Sequence, residues 1–518
     1  MPESGESEPP TATVSRRHFL RLSTGLASWG AAGLVGCARR SHVPTLAVGL
    51  DQDVPTLDPA MHRSRTVESV IRNLADGLVT RDADMRIVPE IAESWRRIDD
   101  LTWEFAIRPG VRFHNGDALT AEDAAFTIQR TITPEAIGGQ SSPRKGLLGS
   151  VDGADAMDEL TLCIITAEPY PLLPKMLAFH EIVPKRYVER VGDEEFGRRP
   201  VGAGPFRFVQ HVTGERIVME RFRDYYGGAP PIERLVFLPV PEVATRLGAL
   251  LAGEIDIAEK VPPHAAAMVE RDSGTRLSRA TGTRSFFIGL NCKTAPLDDV
   301  RVRRAIAHGL DIPRMVDRIL SGHAATLAGP LTPAAFGFDA DLVPRKHDPS
   351  LARSLLDEAG VDASTKLELD CEDVNRELAE AAAAQLSELG IQVRPRVWKW
   401  DVLQPLLKAG ERQMWTTSWG NASLDPAGIL PPLFVTGARG NFMGYSNAQV
   451  DAALERSQLA FDPQERRALF VQVQRIVHDQ VPAIFGWATE EIYGVSTRVG
   501  NWKARPDAML MMHRATLE

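Results

Sequence analysis

Hydrophobic and polar positions along this chain follow two periods in turn. Short β-rich runs are bounded by Pro, Gly and Asp. Between them apolar residues return every three or four positions, as on a helix with one buried face. The run "TLAVGL" at 45–50 reads as a buried strand, and "DVPTLDPA" after it as a turn. Val67, Val70, Ile71, Leu74 and Leu78 predict a helix over 66–79. Trp103 to Ile107 reads as a strand, followed by turns at Arg108-Pro109-Gly110 and Asn115-Gly116. A helix then starts at Thr120, a good N-cap with Asp123 at the third helical position.

Further strands are expected at "TLCIITAEPYP", "GAGPFRFVQHV" and "ERLVFLPV", and "EVATRLGALLAGEIDIAE" reads as a helix with a short β segment, Ile255 to Ala258. From 288 a strand leads through a Pro turn into a helix carrying Val302, Ala305, Ile306 and Leu310. Asp348 and Asp462 each precede a proline that opens a helix, the first of which ends before Gly360. "KLELD", a helix over 374–389 and "IQVRPRV" form a β-α-β unit, which implies a parallel pair with a right-handed crossover. "VPAIFGWA" closes as a strand. No internal repeat or low-complexity linker interrupts the pattern, so the class is α/β or mixed.

The length of 518 residues exceeds one hydrophobic core, so two or three domains are expected. The net charge of -9 without a long basic run argues against nucleic acid as a partner. The four cysteines, Cys37, Cys163, Cys292 and Cys371, have neither metal-site spacing nor a disulfide framework, and at least one is expected as a buried free thiol. The start is different. Arg16 and Arg17 precede a short apolar stretch rich in small residues, which fits a twin-arginine export signal over 1–36. The stretch is too short to span a membrane. It ends in "LVGC", which resembles a bacterial lipobox; that likeness implies cleavage before Cys37 and lipid on its thiol. The mature chain is therefore expected outside the cytoplasm, held at the membrane through the lipid.

The segments "LTWEFAIRPGVRFHNGDALTAEDAAFTIQR", "GAGPFRF", "APLDDVRVRRAIAHGLD", "DPSLARSLLDEAG" and "FDPQERRALFVQVQRIVHDQVPAIFGW" resemble the family 5 solute-binding proteins of dipeptide, oligopeptide and nickel ABC importers. The likeness runs from about Leu46 onward, with the motifs in family order. It implies a two-lobed periplasmic-binding-protein fold of the type with two crossovers. Lobe I would hold 37–78, 202–287 and 487–518, lobe II 288–486, and a small domain over 79–201 would pack on lobe I. Ligand would be trapped in the cleft by hinge closure.

The same likeness implies where ligand is met. Similar peptide receptors keep a pocket tryptophan at the place of Trp419, a broad apolar face with one N–H donor. In them an acid three residues later pairs with the ligand's α-ammonium; here that position is Ala422. Trp419, Asn421, Ala422 and Asp425 make one candidate wall, although Asp425 reads first as the cap of a following helix. The offsets of the loop "AMHRSR" give Arg63 and Arg65, forks that suit carboxylate or phosphate. Arg284 and Phe286 stand at a lobe crossover, and Arg439 and Asn441 in a glycine-rich loop; Asn441 equally suits fixing that loop. His114 belongs to a family turn, and Arg301, Arg303 and Arg304 read as a solvated helix face.

No GxSxG, Ser/Lys pair, HExxH or dinucleotide fingerprint is present, and no metal or cofactor is expected. The reading is a monomeric, non-enzymatic receptor that presents a peptide or peptide-like solute to a permease and ATPase complex. The missing acid and the added arginines favour an acidic or modified solute. The rival readings are an exported hydrolase and a sensor or chaperone on the same fold.

Overall fold

The computed structural model describes residues 43–518; the Arg16–Arg17 pair and Cys37 lie outside the described residues. One sheet of eleven strands runs through them. At one end lie Gln392–Trp398, Lys366–Glu372 and Met414–Gly420, and at the other Ile257–Ala258, Thr45–Leu50, Arg234–Pro239, Arg216–Arg221 and Phe206–Val212. Two long antiparallel strands, Thr275–Leu290 and Ala483–Ser496, join the groups, and Ala324–Thr326 pairs with the second. Residues 275–281 face 490–496, whereas 285–289 face 483–488. Between Thr281 and Ser285 four residue steps oppose only two, Glu490 to Ala488. Such a bulge bends the strand and strengthens its local twist.

The β-α-β unit forms as expected: Lys366–Glu372 and Gln392–Trp398 pair in parallel around the helix Arg376–Ser387. Helices cover both faces of this half, which gives two apolar cores, one around Trp415 and Phe434 and one around Leu369 and Ile306. A separate antiparallel sheet, Ala92–Arg97, Thr102–Ile107, Thr161–Thr166 and Val151–Ala156, is closed by the helix Ala121–Ile132. That helix starts as its sequence dictates, with the Thr120 N–H donating to the Asp123 carboxylate at 2.9 Å. Cys163, Cys292 and Cys371 are free thiols, and Cys371 is buried.

The helix expected over 66–79 is shorter. It spans Arg65–Ile71, capped by Ser64, although Leu74 and Leu78 are buried as the period requires. The carbonyls that would continue it are claimed elsewhere: Asn73 O accepts from Phe206 N and Leu74 O from Gly204 N, both at 2.9 Å. The approach is so close that a Cβ on Gly204 would stand 2.6 Å from the Leu74 carbonyl carbon. The neighbour is backbone and cannot rotate away. Gly204→Ala is therefore expected to cost about 2–3 kcal/mol of stability, read as a lowered urea midpoint. His114 fixes the same loop: its Nε2–H donates to Gly204 O at 2.9 Å, and its Nδ1 accepts from Gly202 N–H at 3.4 Å.

Arg303 corrects the reading of a solvated helix face. It is buried, and its guanidinium donates to the carbonyls of Leu297, Asp298, Gln480 and Val481. Arg301 and Arg304 do face solvent, paired with Asp299 and Asp479. The i, i+2 and i, i+3 spacing alone does not separate these roles.

Buried charge ties the four-stranded sheet's segment to the large sheet. Arg72 meets Glu90 at 3.0 Å, Arg130 meets Asp58 at 2.6 Å, and Asp76 accepts from Tyr225 and Tyr226 at 2.8 Å each. This sets a pH dependence. Burial holds His62 and His180 down at about 3 and His114 and His513 at about 4. Unfolded histidine takes its proton near 6.5, so below that pH the unfolded chain binds more protons and stability falls. Burial acts oppositely on carboxyls. It pushes Glu259 up to about 8 and raises Asp76 and Glu181, so stability rises as pH falls through that range. The melting temperature is expected to peak near pH 6.5 and to fall steeply below about 4.3, where unfolded carboxyls titrate. A melting temperature climbing steadily from pH 6.5 to 4.5 would contradict this.

Candidate functional site

The strand Met414–Gly420 lies beside the first joining strand, with Gly420 opposite Arg284 and Trp419 opposite Ser285. Asn421 N–H extends the ladder by one bond, to Thr283 O at 3.0 Å. The stretch "SWGNASLDP" thus runs along the bulge where the two halves of the sheet meet. It then turns: Leu424 takes a left-handed φ of 53°, an unfavourable conformation for a branched side chain, and is held there by its burial in the core.

The chain uses much of this segment for itself. Asn421 is buried, and its Oδ1 accepts from Ser423 Oγ at 3.0 Å. Asp425 is fully buried and caps Ala427 N at 3.1 Å, as its first reading anticipates. Its oxygens also accept from Arg466 at 3.0 and 3.2 Å and from Lys175 Nζ at 2.6 Å. Burial would raise its pKa, but Lys175 and Arg466 outweigh burial and hold it below the ordinary carboxylate range. The Trp419 Nε1–H donates to Gly428 O at 2.8 Å, leaving the half-exposed ring as an apolar surface. The Arg439 guanidinium lies 5.9 Å from that ring's centre, within cation–π range. Asn441 donates to Val435 O and Tyr445 O and accepts from Tyr445 N, the loop-fixing arrangement. Phe286 stacks on Trp487 with centroids 5.9 Å apart, against the core of its own half.

Two arginines face the bulge. Arg284 Nη1 donates to Ser418 Oγ at 3.1 Å and is otherwise open. Partial burial lowers its pKa; Glu491 opposes that shift and Arg65 adds to it, so the three groups share one field. Arg65 Nη1 donates to Asp507 O at 2.8 Å. Arg63 is exposed and donates to Pro143 O at 2.9 Å.

Several charged neighbours escape a sequence reading. Arg81 ends the strand Val79–Arg81, is buried, and bridges to the Asn421–Asp425 turn through Ser423 O at 2.8 Å. Burial pulls its pKa down to about 10; Asp507 opposes this, while Arg65 and Arg505 add to it. Lys260 reaches Asp51 at 2.6 Å, and Arg505 holds Asp507 at 2.8 Å. Glu491 sits on the second joining strand. The only trace of it in the sequence is the pair "EE" breaking the apolar run "VPAIFGWATEEIYGV". Lys260 and Arg505 are paired with acids, but among the described residues Arg65, Arg81 and Arg284 form no ion pair, and anionic groups would gain from them. Among the described residues no group of three metal-ligating side chains occurs, and no helix is long and apolar enough to cross a membrane.

Comparison with known proteins adds independent findings. A family model described as "Bacterial extracellular solute-binding proteins, family 5 Middle" matches residues 86–441. Heme-binding protein A of Haemophilus influenzae is 28% identical over 432 residues, covering 77% of this chain and 78% of that protein. Glutathione-binding protein GsiB of Pectobacterium atrosepticum is 26% identical over 481 residues, 89% and 92% of the two chains. The structure of HbpA2 from Haemophilus parasuis superposes with a TM-score of 0.86 at 24% identity, covering 92% of this chain and all of that one.

Proposed function

The chain belongs to the bacterial extracellular solute-binding proteins of family 5, and from that premise we propose that it is the receptor for a small acidic, peptide-like solute. It would capture the solute between the lobes and deliver it to an ABC permease. The observation that carries the ligand class is the group of cations without an ion-pair partner at the junction, Arg65, Arg81 and Arg284, with Trp419 beside it and alanine at 422. Relatives named as glutathione-binding and dipeptide-binding proteins support a solute of this size. A peptide with side-chain or γ-linked carboxylates supplies the two or more anionic groups that several arginine forks can engage.

The mechanism is a population shift. Arg65 belongs to the lobe I side of the junction and Arg284 to the bulge between the lobes, so a ligand that engages both together with Trp419 stabilises the closed arrangement. Closure removes water and strengthens each charge-assisted contact. No bond in the solute changes. Export by the Arg16–Arg17 signal and lipid on Cys37 would place the receptor at the outer face of the membrane. Native mass spectrometry of gently purified protein tests the reading. A bound mass matching a small acidic peptide or conjugate supports it, and a retained neutral sugar or metal complex would overturn it.

A further inference from the structure

The likeness to peptide receptors leaves a chemical gap. A peptide with a free amine brings a positive charge into the site, and burying that charge without a counter-charge costs several kcal/mol. The residue three after Trp419 is Ala422, which cannot supply the counter-charge. Asp425 is already saturated by Arg466, Lys175 and its own cap. The nearby Asp507 is likewise committed, to Arg505 at 2.8 Å and to Met509 N at 3.2 Å.

Glu491 differs from both. It stands on the strand Ala483–Ser496, where the chain passes from one half of the sheet to the other. It pairs with Ala280, just before the bulge that carries Gly282, Thr283 and Arg284. Its side chain lies across Gly282: a Cβ there would stand 3.2 Å from Glu491 Oε1, so the missing side chain of Gly282 lets the carboxylate rest on the hinge. Thr283, the next residue, holds Asn421 through its carbonyl. The acid therefore sits one bonded strand away from the position where similar receptors carry theirs.

Three cations share its field, Lys260, Arg65 and Arg284, and each is spent on another partner: Asp51, Asp507 O and Ser418 Oγ respectively. Among the described residues no donor hydrogen-bonds the Glu491 carboxylate, which is partly buried with its oxygens still open to solvent. Burial pushes its pKa up against the pull of those cations. A carboxylate that no protein donor engages and that solvent still reaches is free to accept from a ligand.

We propose that Glu491 accepts the ammonium group of the ligand, replacing from the hinge strand the acid that position 422 lacks. The solute would then be zwitterionic, with carboxylates on Arg65 and Arg284 and its amine on Glu491. Because Glu491 lies at the crossover, the contact would couple amine recognition to the bend between the lobes. This assignment rests on the acidic-peptide reading above.

The test is calorimetric titration of wild type and Glu491→Gln with Ala-Glu and γ-Glu-Gly, each with its amine free and N-acetylated. A hydrogen bond to a charged group is worth about 1.5–3 kcal/mol, so acetylation is expected to weaken wild-type binding about 10–100-fold. In Glu491→Gln that discrimination should shrink to within about 3-fold, with the acetylated forms binding both proteins alike. Wild type that binds free and acetylated forms equally overturns the assignment without reference to the variant. So does a variant that keeps the wild-type discrimination; in either case the acidic-peptide reading survives. If neither peptide binds wild type in either form, the acidic-peptide reading falls and this assignment falls with it.

Discussion

Replacing Asp425 by alanine is expected to lower stability by about 3–5 kcal/mol, the range for breaking a buried ion pair by removing one partner. The carboxylate is fully buried between Arg466, itself buried, and Lys175, which reaches it from the segment between the two sheets. Without it, two cations lose their counter-charge, and Ala427 loses its cap. The guanidinium of Arg466 also packs 5.6 and 5.3 Å from the rings of Phe336 and Phe470, so it cannot turn to solvent without disturbing the core. A thermal melt should show a shift of several degrees. The double variant Asp425→Ala with Arg466→Met should recover part of the loss, because it removes the stranded charge as well. Equal melting of wild type and Asp425→Ala would show that the pair contributes nothing net.

Joint removal of Arg65 and Arg284 should have the largest effect on binding. Each fork can make a charge-assisted bond worth about 1.5–3 kcal/mol, so Arg65→Ala with Arg284→Ala is expected to weaken an acidic dipeptide about 100-fold or more. Stability should change little. Arg284 holds only Ser418 Oγ and Arg65 a single carbonyl. Arg63→Ala serves as the contrast, since that exposed side chain is engaged by Pro143 O, and its effect should stay within about 3-fold. Titration of the three proteins with Ala-Glu measures both effects.

How far these residues could be read from sequence depended on distance along the chain. The helix starts at Thr120, Asp348 and Asp462 and the β-α-β unit of 366–398 formed as read, because caps and periods are local. The joining strands are longer than expected: "TRLSRATGTR" extends the first and "TEEIYGVS" the second. Their polar positions are taken up by neighbouring loops, as Arg276 by Val499 O and Ser278 by Ala504 N, and carry no alternation signal. The helix at Arg65–Ile71 stops early because Gly204 and Phe206, more than a hundred residues away, take its carbonyls. The site itself suffers most from this. Trp419, Arg65 and Arg284 came from family offsets, whereas Arg81, Lys260 and Glu491 are brought together only by non-local strand pairing. Asn421, Asp425, Asn441 and Phe286 carry the right chemistry for a ligand, yet their polar groups and rings are taken up by loop bonds and packing that no spacing reveals.

The most direct measurement is calorimetric titration of protein stripped of carried-over ligand by unfolding and refolding, with Ala-Glu against Ala-Ala. Saturation at one site per chain is expected, at least about 10-fold tighter for the acidic peptide, with both peptides recovered intact after hours of incubation. Equal affinity for the two peptides, or the release of free amino acids during the titration, would contradict a non-catalytic receptor built for acidic solutes.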